Sequence, residues 1–236
     1  MNTVFWGVIG LILGSFFNVV ILRVPRGESI VHPSSHCPFC RRELKPIELI
    51  PIVSFIMQSG RCRSCGSRIS IQYPIVEFVT GLGFALINLW SDGFGQLLAG
   101  LTFFSFLLIC TVIDLNEMIL PNKLTVPGMI IGLIFAAVGF TIPFWQSLLG
   151  LFVGGAILLV ISLISRGGMG LGDVKFIAFI GSFVGVLGVL KTLFIASIIG
   201  TVIGLIYLLY TKQGRTTPIP FGPFLAVAGA IVFFIL

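Results

Sequence analysis

Charge is what this chain has least of. Only 9% of its 236 residues are Asp, Glu, Lys or Arg, while 57% are hydrophobic, and the mean hydropathy is +1.15. Soluble domains carry about 25% charged residues, so a soluble globular domain is excluded. The short alternating strands of a transmembrane barrel are also missing, and long unbroken apolar runs stand in their place. No solvated basic face exists either. The net charge of +6 is spread between apolar runs, which argues against a nucleic-acid partner. The N-terminal run lacks a basic preceding region and a small-x-small cleavage site, so it reads as a retained span rather than a removed signal. What remains is an all-α, polytopic transmembrane helix bundle whose first partner is the lipid bilayer.

Eight apolar runs are present: Val4–Leu22, Pro74–Trp90, Leu97–Ile113, Leu124–Ile142, Leu148–Ser165, Val174–Leu190, Thr192–Tyr210 and Phe221–Leu236. Each has 16 to 19 residues, which matches most of a ~30 Å hydrocarbon core at about 1.5 Å per residue. The break between the sixth and seventh is set by Lys191 and nearby glycines. The organisation expected is a first span over 1–22, a polar loop over 23–73 and a transmembrane core over 74–236. Basic residues fix the expected orientation. Arg23, Arg26, Arg41, Arg42, Lys45, Arg61, Arg63 and Arg68 lie in the first loop, Lys123 in the third, Arg166 and Lys175 in the fifth, and Lys212 and Arg215 in the seventh. Only Lys191 falls on the other side, so these odd loops are expected in the cytoplasm and both termini outside. Small-xxx-small pairs (Gly10/Gly14, Gly128/Gly132, Gly150/Gly154, Gly181/Gly185, Gly200/Gly204) predict close helix packing. The sequence shows no convincing internal repeat.

The first loop carries Cys37-Pro-Phe-Cys40 and Cys62-Arg-Ser-Cys65, a CxxC-x21-CxxC pattern. Two such turns supply four thiolates to a tetrahedral ion, at a spacing close to zinc ribbons. A reducing compartment disfavours disulfides there. A structural zinc on Cys37, Cys40, Cys62 and Cys65 is the expected use, with a redox or iron site as the alternative. Four thiolates leave no open position for catalysis. His32 and His36 read as solvated loop histidines, and Cys110 as a buried small apolar residue.

Acids are scarce: there are eight. Glu28, Glu43, Glu48 and Asp92 suit solvent. Asp114 ends the third run and Asp173 opens the sixth, so the topology puts both near one membrane face. Ionisable residues at that depth are costly and mark function. Two converging carboxylates could serve as general base and general acid, and Gly170-Leu171-Gly172 offers a backbone approach free of side chains. The other reading is a helix cap at Asp173 and a separately solvated interfacial carboxylate at Asp114.

Several motifs resemble the type IV prepilin peptidases, a family of GxGD aspartyl proteases. They are Gly14-Ser15-Phe16-Phe17-Asn18-Val19 running into Arg23-Val24-Pro25, the paired CxxC loop, and Ile69-Ser70-Ile71-Gln72-Tyr73-Pro74 with Glu77. Asp114 upstream of Leu120-Pro121-Asn122, and Gly167-Gly168-Met169-Gly170-Leu171-Gly172-Asp173-Val174-Lys175, complete the set. The resemblance spans nearly the whole chain. It implies a multi-pass protein of the cytoplasmic (inner) membrane that removes a short basic leader from prepilins or pseudopilins at the cytoplasmic face. Asp114 and Asp173 are then the catalytic pair. It further implies S-adenosylmethionine-dependent methylation of the new N-terminus. The family's Gly-plus-basic step falls on Gly60-Arg61, with Arg where Lys is expected. Asn122 stands where many members carry an acid and receives no catalytic role. Asn18, Glu77 and Lys175 match family positions, as chemistry or as interhelical hydrogen bonds. Two alternatives stay open: another GxGD intramembrane protease, and a non-enzymatic channel or transporter with a zinc-bound loop.

Overall fold

In the computed structural model, the described residues are 2–165, 169–211 and 220–235. Arg166, Gly167, Gly168, Lys212 and Arg215 lie outside them. Among the described residues the fold is helical, and the only β pairing is two isolated bridges. The chain divides into two compact units, Met1–Ser91 and Asp92–Leu236.

In the first unit, α1 (Thr3–Arg23) packs along α3 (Gln72–Trp90), and the polar loop between them holds a short 3-10 turn (Pro46–Leu49) and α2 (Val53–Met57). The α1–α3 contact depends on glycine. A Cβ on Gly10 would lie 2.6 Å from the Thr80 carbonyl, and one on Gly14 would lie 2.7 Å from the Glu77 Cα. Backbones this close gain dispersion that a larger residue would forbid.

The second unit contains α4 (Phe94–Glu117), α5 (Asn122–Ala137), α6 (Phe144–Ile164), α7 (Leu171–Thr211) and α8 (Gly222–Phe234). Its core is aromatic: Phe103 stacks on Phe183 with ring centroids 4.7 Å apart and meets Phe233 at 4.8 Å. Five helices (α1, α3, α4, α6 and α7) are long and apolar enough to cross a membrane, and α5 and α8 are shorter apolar helices.

The sixth and seventh apolar runs share α7, and the break between them is not at Lys191. It falls at Gly185, where φ is 72° and ψ is −175°. That conformation favours glycine. In a straight helix Ile177 and Val189 would stand about 18 Å apart. Both instead reach the place where a Cβ of Gly154 would be, at 3.1 and 3.3 Å. The two arms of α7 therefore double back on one another. Lys191 belongs to the second arm, where its exposed side chain needs no turn. Gly150 and Gly181 face each other at the α6–α7 crossing so closely that either Cβ would strike the other's carbonyl. Gly10/Gly14, Gly128/Gly132 and Gly150/Gly154 thus pack helices as expected, whereas Gly185 of the Gly181/Gly185 pair makes the turn.

Candidate active site and metal centre

Asp114 sits in the last turn of α4 and is buried. The helix ends four residues later at Met118, whose left-handed φ of 53° turns the chain into Ile119-Leu120-Pro121. Asp173 stands in the first turn of α7 and is half-buried. The two carboxylates are close enough for their charges to interact. Both belong to the second unit.

Three neighbours set the geometry. Gly222, the first residue of α8, donates its backbone N–H to Asp114 Oδ2 at 3.0 Å. A Cβ on Gly222 would lie 2.5 Å from that oxygen, so only glycine lets the amide approach. No side chain caps α8, and Pro223 has no N–H. The Asp114 carboxylate therefore fills the role of a cap contributed by another helix. Leu120 packs against Gly172, where a Cβ would meet the Leu120 Cβ at 3.0 Å. Gly172 is thus filled by the α4–α5 connection, and only Gly170 leaves space beside Asp173. Finally, Lys175 Nζ donates to Asn122 Oδ1 at 2.8 Å, clipping the start of α5 to the start of α7. The Gly222 contact has no signal in the sequence reading above.

In the first unit, the four cysteine sulfurs all lie within 4.8 Å of one another. Two matching turns bring them there. Cys37 N–H donates to the Arg42 carbonyl and Arg41 N–H to the Cys37 carbonyl, each at 2.9 Å. Cys62 to Ser67 and Gly66 to Cys62 repeat this, also at 2.9 Å. Flanking bridges join His36 to Glu43 and Arg61 to Arg68. Left-handed residues occupy equivalent positions, Arg41 at φ 56° and Gly66 at φ 69°. The loop is a structural repeat offset by twenty-five residues, invisible in sequence because little besides the cysteines is shared. The amides of Cys65 and Ser64 point at the Cys62 sulfur and pull its thiol down to about 6, into the range where the thiolate forms readily. The donor set fits a soft tetrahedral ion such as zinc.

Glu48 corrects the sequence reading. It is buried, not solvated. Arg42 grips both its oxygens, at 3.0 and 2.7 Å, and Lys45 N–H adds a third bond at 2.9 Å. The bidentate guanidinium, then the amide, hold the Glu48 carboxyl down at about 2. The guanidinium also faces Cys62, so its positive charge offsets a thiolate cluster.

The remaining candidates have architectural contacts. Asn18 Nδ2 donates to the Gly14 carbonyl at 3.2 Å and the Tyr73 carbonyl at 3.1 Å, linking α1 to α3. Glu77 Oε2 accepts the Ile52 N–H at 2.7 Å. Gly60 has φ 65° and packs against the Phe55 ring, and Arg61 is exposed in its bridge with Arg68. Gly60 and Arg61 thus both take part in the second cysteine turn. Cys110 is fully buried, and His36 is exposed in the loop, both as expected.

Two acids thus stand at helix ends within one unit of a helical protein whose long apolar helices suit a membrane, and the family it matches is one of aspartic-type proteases. Residues 8–91 match the bacterial peptidase A24 N-terminal domain, and residues 101–205 match the type IV leader peptidase family. The chain is 39% identical to a prepilin leader peptidase/N-methyltransferase of Bacillus subtilis strain 168, covering 97% of this chain and 92% of the relative. Proteins bearing the same name in Xanthomonas campestris and Neisseria gonorrhoeae are 37% and 35% identical, over 96% of this chain and 88% of each relative. No solved structure matches. The chain belongs to the type IV leader peptidase family. The channel or transporter alternative is thereby set aside.

Proposed function

We propose that this protein is the endopeptidase that cuts the short basic leader from type IV prepilins or pseudopilins, with Asp114 and Asp173 as its acid–base pair. The observation that carries the reading is the approach of the two carboxylates within one unit, each held by a backbone amide at a helix end. Each carboxylate accepts a backbone N–H, Asp114 from Gly222 and Asp173 from Gly170, so the amides treat the two alike, and the steps are written with Asp114 as the base and Asp173 as the acid. Asp114 removes a proton from a water, whose oxygen attacks the scissile carbonyl carbon. Asp173 gives its proton to the carbonyl oxygen, forming a neutral tetrahedral diol. Return of a proton from Asp114 to the leaving nitrogen breaks the C–N bond, and Asp173 regains its own proton from the collapsing diol.

Asp114→Asn and Asp173→Asn test this directly, because each keeps size and removes the titrating proton. Each alone should abolish cleavage of a prepilin in detergent, and the double variant should be little worse than either, as for residues acting as a unit. Substantial cleavage by either folded variant overturns the assignment.

The thiolate cluster is read as a structural zinc site that folds the loop of the first unit. The strong bias of basic residues supports a cytoplasmic position for that loop and for both aspartates, in the cytoplasmic membrane. The relatives' shared name supports a second activity, S-adenosylmethionine-dependent methylation of the new N-terminus. Gly60 and Arg61 enter that activity only by position in the family.

A further inference from the structure

The stretch from Pro46 to Gln58 is turned inside out for a loop in water. Its one charged side chain, Glu48, points inward to Arg42. Its apolar side chains point outward: Ile47 is 60% exposed, Ile56 68% and Met57 65%, with Leu49, Ile50 and Val53 exposed beside them. Val53, Ile56 and Met57 stand three and four residues apart on α2, and Leu49 and Ile50 lead into it. An outward apolar face of this kind marks an interaction surface.

The depth of the stretch names the partner. Ile52, at its centre, donates its N–H to Glu77 at 2.7 Å, and the Ser15 hydroxyl of α1 reaches the same carboxylate. Glu77 lies five residues inside α3, or about 7 Å along a span from its polar end. Interfacial amphipathic segments sit about 5–10 Å into the headgroup–acyl boundary. Basic residues flank the stretch, Arg41 and Lys45 before it and Arg61, Arg63 and Arg68 after it, as suits anionic headgroups. Glu77 also satisfies a backbone donor that lipid could not. Ile52 holds a left-handed φ of 61°, a costly conformation for a β-branched residue that the bond to Glu77 helps to hold.

We propose that residues 46–57 form an interfacial hook that inserts its Ile47, Ile50, Val53, Ile56 and Met57 face into the bilayer, pinned at that depth by Glu77. The hook holds the cysteine loop down against the membrane surface. It is a binding surface for lipid, independent of the peptidase assignment.

The test uses the full-length, metal-loaded protein in nanodiscs of phosphatidylethanolamine and phosphatidylglycerol. Trp6, Trp90 and Trp145 are changed to Phe, and a single Trp is placed by Ile56→Trp, Val53→Trp or, as a control, Arg63→Trp. Lipids brominated near the headgroup should quench the tryptophans at 53 and 56 several-fold more than the one at 63. Lipids brominated near the chain ends should quench them less. Adding Glu77→Ala should reduce quenching at 53 and 56 towards the control. Equal quenching at all three positions overturns the proposal. So does quenching at 53 and 56 no greater than in brominated-lipid-free discs, or protection that appears only when a prepilin peptide is added, which would make this face a substrate surface. Should the Trp variants fail to fold, a photo-activatable side chain at position 56 should crosslink to lipid. Crosslinking only to protein has the same overturning force.

Discussion

Gly222 bears on Asp114 through one missing methyl group. A Cβ there would lie 2.5 Å from the carboxylate oxygen, so either the acid or the amide must move. Displacing a catalytic group by about 1 Å can cost about a hundredfold in rate. Gly222→Ala is therefore expected to lower kcat about a hundredfold and leave KM for a prepilin unchanged, if the residue acts only by positioning Asp114. A rise in KM with kcat preserved would place Gly222 in substrate binding instead. Asp114 and Asp173 are legible in the sequence because acids are so few that each can be asked why it is there. Gly222 is not legible. It meets Asp114 across 108 residues of chain, and nothing in Phe221-Gly222-Pro223 says where that turn returns. Glu48 misleads for the opposite reason: a polar loop looks solvated until Arg42 closes on both its oxygens. Gly172 looks like an opening for substrate, yet the space belongs to Leu120.

At the scale of elements, the helices are the most legible part, because long apolar runs admit few other structures. The turn inside α7 shows the limit. Lys191 is the visible polar break, but a lysine can lie along a helix with its amine reaching for water, whereas reversal needs a backbone only glycine adopts readily. The cysteine loop has too few apolar residues facing inward to fold by burial, so its order depends on two hydrogen-bonded turns meeting at one ion. Four thiolates packed within 4.8 Å without a cation would repel one another on ionising. Changing Cys37 and Cys62 together to Ser removes one thiolate from each turn. The protein should lose about one zinc per chain and the loop should become open to proteolysis, with a fall in protein level, since metal binding and folding are linked. Elemental analysis of gently purified wild-type protein that finds neither zinc nor iron would contradict this.

For the whole molecule, the charge pattern and the division into two units each lead to a measurement. Thirteen of the fourteen basic residues fall in or beside the alternate loops expected between the apolar runs, a bias that sets orientation during insertion. Reporter fusions after the cysteine loop and after Lys175 should both report the cytoplasm, and a fusion at the C-terminus the outside. A fusion directly after the cysteine loop or after Lys175 that reports the outer face would reverse the assignment. The chain also separates its candidate residues. Asp114 and Asp173 lie in the unit Asp92–Leu236, whereas Gly60 and Arg61 lie in Met1–Ser91 beside the thiolates. An exposed Arg61 whose backbone closes a bridge with Arg68 can lose its side chain without disturbing either turn, because bridge hydrogen bonds use the main chain. Arg61→Ala should therefore leave metal content and leader cleavage intact. If the side chain serves methyl transfer, mass spectrometry of the mature pilin should show an N-terminus lighter by one methyl group. If methylation persists in a variant that keeps its zinc, Arg61 belongs to the loop's architecture alone, and the methyl-transfer site must be sought elsewhere in the chain.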